Sequence, residues 1–161
     1  MILYIVGFTR AGKSTMARSL AKSWDIGFLD TDDMVEELTA KSIQDRVQDE
    51  GWEAFRTHET NALYMTREHD FASGFSLSKK GQALKRPQGI KGVVACGGGI
   101  VEKEENRLFL KEMPLLWLNP GWEVLLRRIK EKPSLITANL SEDELYALYQ
   151  KRMKLYQSLL K

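Results

Sequence analysis

The chain has 161 residues, 43% hydrophobic and 29% charged, with a formal net charge of +2. That size and balance fit one globular domain with a buried core and exclude a disordered or fibrous chain. The small charge gives no electrostatic case for nucleic acid or an anionic membrane, and the one cysteine, Cys96, leaves no intrachain disulfide. The opening apolar run, residues 2–6, lacks a basic flank and is too short for a secretion signal or a membrane span. A cytoplasmic monomer with no nucleic-acid or membrane partner is the expectation.

In chain order, residues 2–6 predict a buried strand ended by Gly7, and 13–23 a helix with Met16, Ala17, Leu20 and Ala21 on one face. A second strand is expected at 26–29, then helices at 31–39, 43–50 and 52–68, with Ser42 as an N-cap and Gly51 as a break. Residues 71–92 show little periodicity, are rich in Gly and Ser, and carry Lys79, Lys80, Lys85, Arg86 and Lys91; they predict a long loop. A strand at 93–96 runs into Gly97-Gly98-Gly99. Helix 103–110 and strand 115–118 follow, the latter stopped by Asn119-Pro120-Gly121. Helix 121–130, a loop around Pro133 and helix 142–159 complete the chain, with Ser141 and Glu144 spaced as a capping box. Strands alternating with helices imply a parallel sheet with right-handed crossovers, an α/β three-layer sandwich of about four to five strands. Ligands in such a fold sit at the carboxyl ends of the strands. Polar or glycine-rich clusters fall there at 7–15, 30–32 and 97–99.

The stretch GFTRAGKS matches G-x-x-x-x-G-K-[ST] between a strand and a helix. Glycines let the backbone wrap a polyphosphate, and the helix start adds positive potential. Gly7, Thr9, Arg10, Ala11, Gly12, Lys13, Ser14 and Thr15 are therefore candidate nucleotide-binding residues. Lys13 would reach the β- and γ-phosphates of ATP and Ser14 would ligate Mg²⁺. The alternative is a glycine turn with a surface lysine. In FLDTDDMVEE, Asp30 and Asp32 lie two apart at a strand end and can face one crevice. One could hold Mg²⁺ through water and the other orient or deprotonate an acceptor hydroxyl. Helix capping explains them equally, because Asp30 to Asp33 all lie near a helix start.

Four motifs in order, GFTRAGKST, FLDTDDMVEE, GWEAFRTHE and ACGGGIV, make the chain resemble the shikimate kinase family over nearly its whole length outside 70–92. The resemblance implies a P-loop NTPase-like fold in one domain over 1–161. That domain would carry a substrate-binding helical region at about 31–68, an insertion at about 70–92 and a lid at about 129–141. It implies transfer of the γ-phosphoryl of ATP to the 3-hydroxyl of shikimate, with Mg²⁺. By the same resemblance Asp30 is the Mg²⁺-associated aspartate, and Asp32 contacts the acceptor hydroxyl as the base. Arg56 and Arg152 bind the shikimate carboxylate, and Gly97, Gly98 and Gly99 approach the substrate ring. A planar guanidinium suits a carboxylate. Glu59, three residues after Arg56, would hold that arginine, and Phe55 would add apolar wall.

Three departures qualify the resemblance. Lys132 stands before Pro133 where family members carry a lid arginine; it keeps the charge but not the forked geometry, so Lys132 and Arg128 are both candidate nucleotide-binding residues, with Arg127 the alternative to Arg128. The 71–92 stretch is extra. Family members also continue past the position of Arg152 into another strand and helix, so a four-stranded sheet with an unprotected edge is one expectation. The competing readings are a P-loop kinase for another small hydroxy acid and a non-catalytic nucleotide-binding relative. The intact Lys13, Ser14, Asp30 and Asp32 speak against the second.

Overall fold

We describe residues 1–71 and 85–160 of a computed structural model. Most of the 71–92 stretch, including Lys79 and Lys80, lies outside the described residues; 85–91 are irregular up to the next strand. The elements are β1 (Ile2–Gly7), α1 (Lys13–Trp24), β2 (Gly27–Asp30), α2 (Thr31–Thr39), α3 (Ile43–Met65), β3 (Gly92–Ala95), α4 (Glu104–Lys111), β4 (Leu115–Leu118), α5 (Trp122–Glu131) and α6 (Glu142–Ser158).

The sheet has four strands in the order β2-β3-β1-β4, all parallel. β1 is central because its run of β-branched and aromatic residues is buried on both faces. Alternation along β1 then divides the core. Tyr4 and Val6 point to one side, against Leu63 of α3, Leu110 of α4, Leu125 of α5 and Tyr156 of α6. Ile5 points to the other, against Ala17, Leu20 and Ala21 of α1. These are the three layers. A separate cluster of Val35, Phe55 and Ala62 joins α2 to α3 and carries the region expected to hold substrate.

The expected elements are present, with shifts at their ends. Gly51 breaks α3 at φ 83°, ψ 172°, dividing it as its sequence implies. The second half stops at Met65, three residues before the expected end. There the buried Thr66 hydroxyl donates to the Leu63 carbonyl at 2.6 Å and shares a 2.8 Å hydrogen bond with the Tyr4 hydroxyl, competing with the helical pattern. Because every strand runs the same way, the carboxyl ends of β1, β2, β3 and β4 meet at one edge of the sheet.

Candidate active site

The P-loop leaves β1 at Gly7 and enters α1 at Lys13. Gly12 caps α1 at φ 96°, a left-handed conformation that a side chain resists. Lys13 is buried, and its ammonium donates to the Phe8 carbonyl at 2.9 Å. Burial pulls its pKa below the ordinary lysine value, while Asp32 and Asp30 push the other way. The loop and helix start line a cavity of about 1040 Å³ that includes Thr9, Arg10, Ala11, Gly12, Lys13, Ser14 and Thr15.

The capping reading holds at Asp30, which also lies beside Ser14 of the P-loop. Its carboxylate caps α2 by accepting the Asp32 amide at 3.0 Å, and it also accepts the Ser14 hydroxyl at 2.5 Å. Asp32 is different. Burial pushes its carboxyl up to about 7, with Glu59 and Asp30 adding repulsion and Lys13 and Arg56 opposing. A carboxyl in that range can accept a proton near neutral pH.

The triple glycine is a seam between functional groups, and each residue is bare for its own reason. A Cβ on Gly97 would lie 2.5 Å from Asp32 Oδ1 and 2.7 Å from Glu59 Oε1. On Gly98 it would lie 2.9 Å from the Thr9 amide nitrogen of the P-loop. On Gly99 it would fall inside the Arg56 guanidinium. Side chains fix the turn from outside: the Gly97 amide donates to Thr31 Oγ1 at 2.9 Å, and the Tyr156 hydroxyl donates to the Gly98 carbonyl at 2.7 Å.

A second cavity, about 200 Å³, lies beyond this seam. It is lined by Asp32, Phe55, Arg56, Glu59, Gly98, Gly99 and Arg152, and it shares Thr9, Asp32, Gly98 and Ser134 with the first. Arg56 is ion-paired to the buried Glu59 and lies 5.4 Å from the Phe55 ring centroid and 5.5 Å from that of Trp52. Glu59 is itself pushed up by burial, with the adjacent Arg56 guanidinium opposing. Arg152, from α6, is 1% exposed. Gly97 contacts both acidic groups yet lines neither cavity.

The segment after α5 crosses the boundary between the two cavities. Arg10 Nη2 donates to the Pro133 carbonyl at 3.1 Å, and the Thr9 hydroxyl donates to Ser134 Oγ at 3.4 Å. Arg128 Nη1 donates to the P-loop carbonyls of Arg10 and Ala11 at 3.1 and 3.3 Å, and Arg128 lines the larger cavity. Lys132 ends α5, is exposed and lines neither cavity; Arg127 is exposed too. The single-residue step between Arg128 and Arg127 decides this, since neighbours on a helix face different ways.

Several lining residues escaped sequence reasoning. Trp52 had a usable signal: it precedes Arg56 by four positions and so shares its helix face. Asn119 and Pro120 follow β4 at the ligand-binding edge, where the strand-end rule pointed. Ser134 and Ile136 sit in an aperiodic loop with no such signal. Among the described residues no helix is long and apolar enough to cross a membrane.

Known proteins resemble this chain in sequence and in fold. A sequence model described as shikimate kinase matches residues 10–76 and 77–160. The shikimate kinase of Prochlorococcus marinus (strain MIT 9313) is 35% identical over 158 residues, covering 96% of this chain and 71% of that protein. The shikimate kinase of Dictyoglomus turgidum is 34% identical over 160 residues, covering 97% and 82%. Among solved structures, shikimate kinase from Acinetobacter baumannii in complex with shikimate superposes with a TM-score of 0.75 at 31% identity, over 98% of this chain and 79% of that one. The Aquifex aeolicus vf5 shikimate kinase gives 0.76 at 26% identity, over 98% and 83%. With its P-loop cavity, its shared seam and these relatives, the chain belongs to the shikimate kinase family of ATP-dependent phosphotransferases.

Proposed function

We propose that this chain transfers the γ-phosphoryl group of ATP to the 3-hydroxyl of shikimate. The observation that carries the reading is the junction of the two cavities at Asp32, Thr9, Gly98 and Ser134. A phosphoryl donor in the larger cavity and a small acceptor in the smaller one would meet beside a carboxyl poised near neutral pH.

The roles follow from charge and reach. Lys13, the P-loop amides and Arg128 neutralise the phosphates. Arg128 is favoured over Lys132 by its place on the P-loop carbonyls. The Ser14 hydroxyl beside the Asp30 carboxylate is an all-oxygen donor pair of the kind Mg²⁺ takes, together with phosphate oxygens and water. Mg²⁺ there would neutralise charge developing between the β- and γ-phosphates. Arg56 and Arg152 bind the acceptor carboxylate and turn the 3-hydroxyl toward Asp32. Asp32 takes the hydroxyl proton as that oxygen forms its bond to the γ-phosphorus. The bond from that phosphorus to the bridging oxygen breaks, and ADP leaves. Two arginines and a base that pair with the acceptor's polar groups reject analogues lacking them.

The test is ADP release with ATP, Mg²⁺ and shikimate, beside a control without shikimate and the Asp32→Asn variant. Shikimate-dependent turnover that collapses in the variant is the expected result. Nucleotide binding without shikimate-dependent ADP release would reject the reading and shift weight to another hydroxy acid.

A further inference from the structure

Glu102 closes the triple-glycine turn and has no part in the roles above. Its backbone is fixed at both ends: the amide donates to the Gly99 carbonyl at 2.9 Å, and its carbonyl accepts Arg107 Nη1 at 2.9 Å. Its carboxylate is therefore held at a set place beside the seam. Oε1 accepts Arg152 Nε at 2.8 Å and Oε2 accepts Lys151 Nζ at 2.8 Å. The hydrogen bonds from Lys151 and Arg152 outweigh the effect of partial burial and hold the Glu102 carboxyl below its ordinary range. It is ionised throughout the neutral range.

The two partners differ in what they need from it. The Lys151 side chain is 63% exposed, and a pair with so wet a group contributes little. The Arg152 side chain is 2% exposed, and a guanidinium that deep requires a fixed counter-charge. The atom used is also informative. An arginine has one Nε–H and a terminal pair of Nη groups, and the Nη pair suits a two-pronged grip on a carboxylate. Glu102 consumes the Nε–H and leaves that pair. The Phe8 ring, its centroid 5.6 Å from Arg152 Cζ, gives the guanidinium a second wall. Arg56 is built alike, with Glu59 as its carboxylate and Trp52 and Phe55 as its rings.

We propose that Glu102 is a positioning residue for the acceptor site, fixing the Arg152 guanidinium so that its Nη pair meets the acceptor carboxylate. This rests on the assignment of shikimate as acceptor. It gives the turn a further purpose: the segment that supplies the bare glycines also supplies the anchor for the distant arginine.

The experiment compares the wild-type enzyme with Glu102→Ala and Glu102→Gln. It measures KM for shikimate and for ATP, and the side-chain Nε–H resonance of Arg152 in the ligand-free protein. Losing a hydrogen bond to a charged group should raise the shikimate KM of Glu102→Ala about tenfold. The ATP KM should hold and the Arg152 resonance should shift. Glu102→Gln keeps an acceptor oxygen but not the counter-charge and should recover only part of the shikimate KM. Equal rises in both KM values, an unmoved shikimate KM or an unchanged Arg152 resonance would overturn the proposal while the wild-type enzyme still turns over shikimate. A wild-type enzyme inactive on shikimate would instead remove the acceptor assignment, and the proposal with it.

Discussion

The two sides of the active site are built on opposite plans. On the nucleotide side, one continuous segment from Thr9 to Met16 supplies the longest run of the cavity wall, and its backbone would do much of the binding. On the acceptor side, Asp32, Arg56, the Gly98-Gly99 pair and Arg152 come from four separate segments, and side chains would do most of the binding. A backbone cradle needs only its loop to fold. A side-chain site needs each charged group held by something else, which is why Glu59 stands beside Arg56 and Glu102 beside Arg152. Damage to the first should weaken nucleotide binding as a unit, whereas damage to the second should separate into distinct effects.

The sharpest test lies at Asp32, where the two sides join. Asp32→Asn removes the proposed proton acceptor and should lower kcat by on the order of 10³. It also carries a stability sign. The folded pKa of about 7 lies above the unfolded value of about 3.9. The folded state therefore keeps a proton that the unfolded state releases between those values. The stability tied to that proton is complete below about pH 4 and is lost as pH rises through about 7. Asp32→Asn should thus melt about 3 °C higher than wild type at pH 8, with the gap closing toward pH 5. Activity of the wild-type enzyme should fall as pH drops below about 7, where Asp32 becomes protonated. A variant that loses activity with no gain in melting temperature at pH 8 would detach the base from the strained carboxyl.

Gly99→Ala tests the acceptor side alone. The added methyl would occupy the Arg56 guanidinium and displace it. A displaced carboxylate anchor should reduce kcat/KM for shikimate about 30-fold with the ATP KM unchanged. If ATP suffers equally, the seam is one rigid unit and the contrast between the two plans fails.

The same contrast governs how much was readable in advance. The P-loop was legible because its chemistry is local: spacing within nine residues fixes strand, glycine turn and helix start together. The three layers were legible because the uninterrupted apolar run at 2–6 marks a strand covered on both faces, a helical face at 13–23 names its buried side, and strands alternate with helices along the chain. The acceptor residues were named through family resemblance, since composition treats Arg56–Glu59 as an ordinary helix pair and Arg152 as part of a basic face. What remained hidden depended on contacts across the fold. Glu102 lies 50 positions from Arg152, and no local pattern joins them. Ser134 reaches the cavity boundary from a loop without period. The end of α3 was missed because Thr66 is drawn to Tyr4, 62 positions away.

Arg128 and Lys132 separate the two plans at the segment after α5. Arg128 is tied to the P-loop carbonyls and belongs to the nucleotide side, so Arg128→Ala should raise the ATP KM about tenfold. Lys132 is exposed at the end of α5, and Lys132→Ala should change either KM by less than about twofold. Steady-state kinetics on the pair decide it; a larger effect at Lys132 would mean that this segment closes further over bound nucleotide.

The smallest expected effect asks whether stability and site geometry part company within one helix. α6 carries Arg152 in its third turn and begins at a complete capping box: Ser141 Oγ accepts the Glu144 amide at 3.2 Å, and Glu144 Oε2 accepts the Ser141 amide at 2.8 Å. Ser141→Ala removes one of these and should cost about 1 kcal/mol, lowering Tm by about 3 °C. Arg152 lies eleven residues on and is held by Glu102 rather than by the helix start. Both KM values should therefore stay at wild-type levels. A shikimate KM that rises with the loss of the cap would show that α6 pivots as a rod. Arg152 would then owe its place to the whole helix and not to its carboxylate partner.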